Sequence, residues 1–358
     1  MAQRIYWAPH TVCFLGCEHC HNDSIMAGVH SSAAINAAII AHLPGPESRY
    51  RLDEVLIGGG EALMRHVGME QLVVDFRRRF PRGPQKTVAE RRAAGHVILA
   101  LQTMGLPLAN GAGTPLPKLI DTWLDLGVDY FHVASNDIFH EDRRPDYPWE
   151  ALRRNLTSYG AAHDVQFHIY GKPAYKLVPS GRVLDNLPAL EALCARLLTD
   201  VGYCATAWEA AANFLSGVER PHPHCSEVVI DPAGWVHPCC WYELAPGLFD
   251  LTATDFEAGM AALAAAPICR ALDAGDVIGY AELAGFDEEV ALRVRHVVGD
   301  CGLCRLASAR LARDPGHAWI NAPPLAPREI AFYSDRLCYS DRLPPARLAA
   351  LGLEGGAA

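Results

Sequence analysis

The chain has 358 residues, half of them hydrophobic, and a formal net charge of −10. This length and composition exclude a disordered chain and suit one large or two modest globular domains. The negative charge argues against a nucleic-acid partner, because proteins that bind phosphate backbones carry a basic face.

The twelve cysteines of the chain point to metal ligands rather than to disulfides. No charged and then apolar signal segment precedes the first of them, and no run of about 18 apolar residues occurs that could cross a membrane. Free thiols persist in reducing compartments. We therefore predict a cytoplasmic protein that does not bind membranes.

Strands and helices alternate through the first part of the chain. Six strands are predicted, at residues 4–8, 54–57, 96–102, 129–133, 165–170 and 175–178. Helices are predicted between or after them, at residues 31–43, 67–80, 115–126, 149–162 and 185–201. Such alternation implies a parallel sheet whose ligands bind at the C-terminal ends of the strands.

The character of the sequence changes near residue 215. A hairpin with its turn at 231–234 is predicted next, followed by helices at 254–266 and 287–298, the second ending at Gly299. A pentapeptide, Tyr-Ser-Asp-Arg-Leu, occurs at both 333–337 and 339–343. Two copies are too few for a repeat fold, and we interpret them as surface or tail without function. The predicted domains are 1–215, 216–320 and a tail at 321–358.

Cys13, Cys17 and Cys20 form a Cys-x3-Cys-x2-Cys run directly after the first predicted strand. Three thiolates this close cannot all pair as disulfides, and soft sulfur ligands favour iron–sulfur clusters, zinc or copper(I). A cluster held by three cysteines leaves one iron open for a substrate or cosubstrate. A zinc site, or three cysteines without a metal, is the alternative.

The run resembles the cluster motif of the radical SAM superfamily. In that family the open iron binds the amino and carboxylate groups of S-adenosylmethionine (SAM), so the resemblance implies a [4Fe–4S] cluster on these three cysteines. The residue before the third cysteine packs beside the adenine in the family. That match gives the role to His19.

A glycine-rich turn, Gly58-Gly59-Gly60-Glu61, follows the second predicted strand. Glycines let the backbone approach a ligand closely because no Cβ intervenes, although such a turn can also be plain chain geometry. At this distance from the cysteine run, the turn resembles the Gly-Gly-Glu motif of radical SAM enzymes. Its backbone and carboxylate receive the SAM amino group in that family, which implies this role for Gly59, Gly60 and Glu61.

The six alternating units resemble the partial (β/α)6 barrel, of TIM type, found in the same superfamily. Ser135, after the fourth strand, and the Pro-Ser-Gly-Arg turn ending at Arg182 fall where the family contacts the SAM ribose and adenine. The predicted fold is therefore α/β, with the partial barrel followed by a small α+β domain.

A second set of four cysteines consists of Cys225, Cys239, Cys301 and Cys304. Four thiolates can close around a cluster or around a zinc ion. Their arrangement resembles the SPASM/twitch extension of radical SAM enzymes, in its shorter single-cluster twitch form because only Cys338 follows. The resemblance implies an auxiliary [4Fe–4S] cluster, with zinc or unligated cysteines as alternatives. Whether Cys239 or its neighbour Cys240 is the ligand stays open.

Together the motifs resemble a radical SAM enzyme with a twitch domain. The resemblance implies that the reduced cluster cleaves SAM and that the 5′-deoxyadenosyl radical takes a hydrogen atom from an unactivated carbon. The electron would come from an external one-electron reductant of the flavodoxin or ferredoxin type.

Polar side chains crowd the exit of the fourth predicted strand and the fifth strand: Asn136, Asp137, His140, Glu141, Asp142, His168 and Tyr170. They suit a small polyhydroxylated or amine-bearing substrate, and a solvated loop is the alternative. We expect an enzyme that tailors sugars or aminocyclitols, similar to the radical SAM dehydrogenases and epimerases of aminoglycoside antibiotic pathways.

Two outcomes of hydrogen abstraction are open. In the favoured one, Asp137, His140 or His168 accepts a proton and the auxiliary cluster accepts an electron, so that an alcohol becomes a ketone. In the other, Cys240 returns a hydrogen atom and gives an epimer. The further alternatives are a maturase of ribosomal peptides and a zinc-stapled binding protein. Because the first strand is predicted almost at the start of the chain, we expect no domain that grips a leader peptide before the barrel.

Overall fold

The parallel sheet that the alternating sequence predicts is present. The computed structural model describes residues 3–18, 20, 22–64, 68–134, 138–169, 181–201, 228–237, 246–263, 270–271, 274, 276–317, 320–338, 349, 351 and 353. In these ranges the strands are β1 (Gln3–His10), β2 (Leu52–Gly59), β3 (Ile98–Thr103), β4 (Tyr130–Val133), β5 (Phe167–Ile169), β6 (Val228–Ile230), β7 (Trp235–His237) and β8 (Phe249–Asp250).

The α-helices follow the strands as the alternation predicts, with additional short ones. They are α1 (Ala33–His42), α2 (Met69–Arg79), α3 (Val88–Ala93), α4 (Pro117–Leu126), α5 (Ile138–Arg143), α6 (Trp149–His163), α7 (Arg182–Val201), α8 (Phe256–Leu263), α9 (Val277–Leu283), α10 (Glu288–Leu311) and α11 (Pro327–Cys338). Within the described ranges, no helix is both long and apolar enough to span a membrane.

The strands form one open sheet in the order β5-β4-β3-β2-β1-β6-β7-β8. β1 to β6 pair in parallel, and β7 and β8 add two antiparallel strands. The α/β class and five of the predicted barrel strands are therefore confirmed. The predicted sixth strand, 175–178, lies outside the described residues.

The predicted hairpin is confirmed as β6 and β7, but it is part of the barrel sheet. Val229 and Ile230 of β6 pair with Tyr6 and Trp7 of β1 in parallel register. Ser31 donates a hydrogen bond from Oγ to the Pro232 carbonyl at 2.6 Å, which ties the hairpin turn to the start of α1. The predicted domain boundary at 215/216 lies among residues that are not described and stays a prediction.

The two faces of the sheet differ in polarity because side chains alternate along each strand. Ile5, Val55, Leu99 and Phe131 lie on the outer face, where they share the main apolar core with α1, α2, α4 and α6. The opposite face, which we call the inner face, carries polar side chains such as Glu54 beside a smaller apolar cluster that includes Ile98 and Ala100. The alternation therefore supplies the main core on one face and a mixed surface on the other.

The C-terminal helices have a core of their own. Tyr280, Val294, Leu306 and Leu337 belong to an apolar cluster built from α9, α10 and α11. Tyr333, the first residue of the first pentapeptide copy, is fully buried in it. The prediction that this copy lies on the surface is wrong, because α11 is amphipathic and packs one face on α10. The second copy, 339–343, lies outside the described residues.

A second correction concerns the predicted helix stop at Gly299. Its backbone leaves the helical region there (φ 73°, ψ 178°), as a stop requires, but the helix resumes at once and continues to Leu311. The Cys301-Gly-Leu-Cys304 segment therefore lies in the first turn of a second helical segment and not in a loop after the helix.

A buried carboxylate, Asp129, lies at the start of β4 among three arginines. Its oxygens lie 2.5 Å from Arg77 and 3.0 Å from Arg82, and Arg91 lies 2.9 Å away in an ion pair that lacks hydrogen-bond geometry. The backbone N–H of Leu99 donates to it at 2.8 Å. Asp129 thereby ties α2, α3, β3 and β4 together at the N-terminal ends of the strands.

Replacing Asp129 with Asn should therefore destabilise the protein strongly. Removal of the charge leaves buried guanidinium groups uncompensated, which costs about 3–5 kcal/mol. The measurement is the free energy of unfolding by urea. The matched control is Asp75→Asn, which removes an exposed ion pair with Arg78 and should change stability by less than about 0.5 kcal/mol. Equal effects of the two variants would contradict the role of Asp129.

Candidate functional site

The three cysteines of the first motif lie in a loop at the C-terminal edge of the sheet, directly after β1. Cys13 and Cys17 are buried and Cys20 is partly exposed. The N–H of Cys13 donates to the Ile25 carbonyl at 3.0 Å, and the sulfur of Cys20 accepts the N–H of Ser24 at 3.3 Å. The loop thus folds back on the segment that follows it.

The thiols of the cysteine loop fit a metal cluster in their chemistry. Burial raises the pKa of Cys13 to about 11, with smaller contributions in the same direction from Glu61 and Cys20. The thiol is therefore protonated at neutral pH until a metal displaces the proton. Among the described residues, no three His, Cys, Asp or Glu side chains converge on a single metal ion. An iron–sulfur cluster needs no such convergence, because each thiolate binds a different iron.

The glycine-rich turn after β2 is hydrogen-bonded to the cysteine loop. The N–H groups of Gly60 and Glu61 donate to the carbonyls of His10 and Val12, each at 2.9 Å. The side chain of Asn22, which follows the cysteine run, donates to the Gly59 carbonyl at 3.0 Å. The two motifs, about forty residues apart in the sequence, therefore form one site.

Glycine is required in this turn because the two backbones touch. A Cβ on Gly59, whose φ is +99°, would lie 2.3 Å from the His10 carbonyl oxygen. A Cβ on Gly60 would lie 2.0 Å from the Val12 carbonyl oxygen. The sequence predicts close approach to a ligand, whereas these contacts are with the cysteine loop. A ligand role for the two glycines stays a prediction.

Glu61 is completely buried between two strand exits. Its carboxylate accepts the N–H of Leu63 at 3.0 Å and the N–H of Met104, just after β3, at 3.1 Å. Burial raises its pKa, and hydrogen bonds from Leu63, Thr103 and Met104 together with the charge of His140 oppose that rise. Glu61 thus joins β2 to β3, and its predicted contact with SAM stays a prediction.

Two arginines hold the other side of the cysteine loop. The Nε of Arg143, at the end of α5, donates to the Leu15 carbonyl at 2.9 Å. The Nε of Arg182, at the start of α7, donates to the Cys17 carbonyl at 3.0 Å, and its backbone N–H donates to the Cys20 carbonyl at 2.9 Å. Arg182, predicted to contact SAM, is therefore a support of the loop. These guanidinium groups also bring positive charge to thiolates that would be anionic.

The inner face below this edge carries an imidazole pair. His132 on β4 and His168 on β5 are register partners with ring centroids 5.5 Å apart. His132 is half-buried, and burial, followed by the neighbouring His168, lowers its pKa to about 4. It is therefore neutral at neutral pH and can both donate and accept a hydrogen bond. His168 is exposed on the same face.

A charged group lies lower on the inner face, toward the N-terminal ends of the strands. Glu54 on β2 pairs with Arg4 at 2.8 Å and with Arg92, and accepts the Tyr130 hydroxyl at 2.9 Å. Because the strand period is two, Tyr130 and His132 point to the same side of β4. Between Glu54 and the upper end of the strands, the inner face also carries a small apolar cluster that includes Ile98, Ala100 and Tyr130, so polar and apolar side chains are mixed on it.

The sequence predictions are met unevenly at this site. Of the predicted residues, the structure brings Cys13, Cys17, Cys20, Gly59, Gly60, Glu61 and Arg182 to one edge, with His140 close enough to interact with Glu61. Six further predicted residues lie outside the described ranges, so their roles stay predictions: His19, Ser135, Asp137, Cys225, Cys239 and Cys240. Cys301 and Cys304 lie on α10, both partly exposed.

Sequence reasoning missed Tyr6, Arg143 and His132. The Tyr6 hydroxyl accepts the N–H of Gly59 at 2.6 Å and so supports the turn from the inner face. The sequence did contain a signal for His132. Side chains alternate between the two faces of both predicted strands, and this alternation could have placed His132 and His168 on the same face. Nothing in the sequence links Arg143 to the Leu15 carbonyl.

The chain matches no protein-family model, and no curated protein matches its sequence. Solved structures are similar to it at low identity. BtrN in complex with AdoMet and 2-DOIA has a TM-score of 0.37 and 13% identity, covering 74% of this chain and 87% of that one. The structure of anSMEcpe with bound AdoMet and the Cp18Cys peptide has a TM-score of 0.42 and 12% identity, covering 98% and 99%.

Streptococcus suis SuiB bound to S-adenosylmethionine is also similar, with a TM-score of 0.28 and 11% identity over 72% of this chain and 65% of that one. At these values the similarities carry no argument about the function of this chain. The chain does carry the two motifs typical of the radical SAM superfamily, and they are joined by hydrogen bonds at one edge of a parallel sheet.

Replacing Gly60 with Ala should break the joint between the motifs. The new methyl group would meet the Val12 carbonyl oxygen, and we expect a loss of about 1–3 kcal/mol of stability together with fewer bound irons after anaerobic reconstitution. Gly45→Ala is the control, because its Cβ would meet nothing within 4 Å. Normal iron binding by Gly60→Ala would show that the joint is dispensable.

Proposed function

We propose that this chain is a radical SAM enzyme with a [4Fe–4S] cluster on Cys13, Cys17 and Cys20. The observation that carries the proposal is the direct hydrogen bonding of the Gly-Gly-Glu turn to the chain that leads into Cys13: Gly60 bonds His10 at the end of β1, and Glu61 bonds Val12 in the cysteine loop. A zinc site formed from the cysteines alone would not need a second motif packed against it. When bound, the cluster, SAM and the auxiliary cluster would supply one-electron cleavage of SAM and an electron acceptor.

The residues around the cysteine loop would keep these groups in register. Arg143 and Arg182 hold the loop carbonyls, and Asn22 holds the Gly59 carbonyl. Rigid placement matters because a reacting carbon must lie close to the radical centre, and a small displacement costs much rate. Glu61 ties the turn to β3 and so extends this rigidity across the strand exits.

We assign substrate binding to the inner face of the sheet. His132 and His168 present imidazoles below the loop, and a neutral His132 suits hydroxyl groups that both donate and accept hydrogen bonds. We infer a small polyhydroxylated substrate, of the sugar or aminocyclitol class, whose alcohol is oxidised to a ketone. His168, the more exposed imidazole, is the proposed acceptor of the hydroxyl proton, with His140 and Asp137 as further candidates.

Two rival reactions use the same site. Epimerisation would need Cys240 to return a hydrogen atom. Its product would have the mass of the substrate when formed in H2O and would gain one deuterium when formed in D2O. A peptide maturase would respond to a short precursor peptide instead of a sugar. A panel of sugars, aminocyclitols and peptides, scored by the rise in 5′-deoxyadenosine above the substrate-free rate, separates these classes.

Cys13, Cys17 and Cys20 should each be indispensable for the reaction. Replacing any one with Ala removes an iron ligand, and we expect reductive cleavage of SAM to 5′-deoxyadenosine to fall to background. Absorbance from an auxiliary cluster should remain. Cys338→Ala, outside both predicted ligand sets, is the control and should cleave SAM normally. Normal cleavage by any of the three motif variants would end the radical SAM assignment.

His168→Gln should uncouple hydrogen abstraction from product formation. Loss of a positioned proton acceptor typically costs about 100-fold or more in rate, so ketone formation should drop by that amount while 5′-deoxyadenosine is still made. The measurement is the ratio of ketone to 5′-deoxyadenosine with a responsive member of the panel. His163→Gln alters an exposed histidine on α6 and should leave the ratio unchanged. An unchanged ratio in His168→Gln would exclude it as the base.

A further inference from the structure

Tyr333 of α11 lies against the Cys301-Gly-Leu-Cys304 segment of α10. Its side chain is fully buried, and a Cβ on Gly302 would lie 3.5 Å from its Cε1 atom. Gly302 stands between the two cysteines in the sequence. The absence of a side chain there lets the tyrosine ring pack directly over the first turn of the helical segment that carries both thiols.

The Tyr333 hydroxyl is a buried donor that finds no hydrogen-bond partner in the described part of the chain. Burial raises its pKa, followed by the Glu329 carboxylate, and both Cys301 and Cys304 act in the same direction. The geometric observation is that the ring lies over Gly302, between the two cysteines. A buried O–H group without an acceptor is unfavourable, so a native acceptor is expected near it.

We propose that the Tyr333 hydroxyl donates a hydrogen bond to a sulfur atom of the metal centre that Cys301 and Cys304 hold. The inference rests on the auxiliary cluster of the proposed function and goes beyond it by naming a residue that tunes the cluster. Sulfur atoms of thiolates and clusters accept hydrogen bonds, and such bonds help to set the reduction potential. Donation stabilises the reduced, more negative state, so Tyr333 raises the potential of the auxiliary cluster.

Tyr333 would act only through the metal centre, by donating a hydrogen bond to its sulfur, and would not need to touch substrate or SAM. A higher potential makes the auxiliary cluster a better electron acceptor, which the oxidative route requires. Tyr280 of α9 offers a matched comparison, because it also packs against α10. It is equally buried, but its hydroxyl pairs with the Ser308 hydroxyl at 2.8 Å.

The test is a redox titration of the reconstituted full-length enzyme, followed by electron paramagnetic resonance. The auxiliary cluster is recognised as the one whose signal does not change when SAM is added. Tyr333→Phe should keep its iron and show a lower midpoint potential for that cluster, and Tyr280→Phe should keep the potential of the parent. An unshifted potential in Tyr333→Phe, or an equal shift in Tyr280→Phe, would overturn the proposal.

A second variant keeps the test decisive if Tyr333→Phe does not fold. Fluorinated tyrosine incorporated at position 333 keeps the hydroxyl and makes it a stronger donor. We expect a higher midpoint potential, opposite in sign to the effect of Phe. A potential equal to that of the parent would count against the hydrogen bond.

The iron content of the parent enzyme separates this inference from the proposed function. Two cubane clusters correspond to about eight irons per chain. About eight irons with no shift in Tyr333→Phe overturns the hydrogen bond and leaves the enzyme assignment intact. About four irons together with zinc overturns the auxiliary cluster, and with it the hydrogen bond to that cluster.

Discussion

Two backbone hydrogen bonds join the turn after β2 to the end of β1 and to the start of the cysteine loop, and the candidate site depends on them. They run from the N–H groups of Gly60 and Glu61 to the carbonyls of His10 and Val12. They exist only because the turn lacks side chains, since a Cβ on Gly60 would lie 2.0 Å from a carbonyl oxygen. The glycines are therefore a steric requirement of the loop as well as candidates for binding a ligand. Any ligand at this edge meets a loop and a turn already set in register.

The sheet separates structural from chemical roles by simple alternation. Outward side chains of β1 to β4 build the main apolar core with the helices. The inward side chains of β2 to β5 include Glu54, His132 and His168 beside a smaller apolar cluster around Ala100. Packing against the sheet and against His168 removes water from the His132 imidazole. This burial is the main cause that lowers the pKa of His132, because the charged form loses solvation. The neutral imidazole that results is a consequence of strand register, because β4 and β5 align His132 directly with His168.

Much of the barrel and of the cysteine edge could be predicted from the sequence, because period-two strands, the Cys-x3-Cys-x2-Cys run and the glycine turn are local signals. What could not be predicted depends on tertiary contacts. The joining of β6 to β1 is a long-range pairing, and Arg182 bonds the Cys17 carbonyl across 165 positions. Helix α3 is missing from the predicted helices despite its Thr87–Glu90 capping box, because it has only six residues. The burial of Tyr333 could not be predicted, because its own sequence does not show which core it packs into.

Helix α11 connects the segment after Cys20 to the Cys301–Cys304 turn and so links the C-terminal region to the site. Arg328, near its start, pairs with Asp23 at 2.5 Å and Asp185 at 2.6 Å, so it bridges the segment just after Cys20 to α7. Tyr333, five residues later and about 7.5 Å further along the helix axis, packs against the Cys301–Cys304 turn. Glu329 between them forms a buried ion pair with Arg305 at 2.7 Å, which locks α11 onto α10. The same helix therefore contacts α10, through Glu329, and the segment after Cys20, through Arg328. A shift of α10 would be passed along α11 to Asp23. If the two proposed clusters are bound, the rate of electron transfer between them depends on their separation, and a single helix braced by Arg328, Glu329 and Tyr333 would help to keep that separation constant.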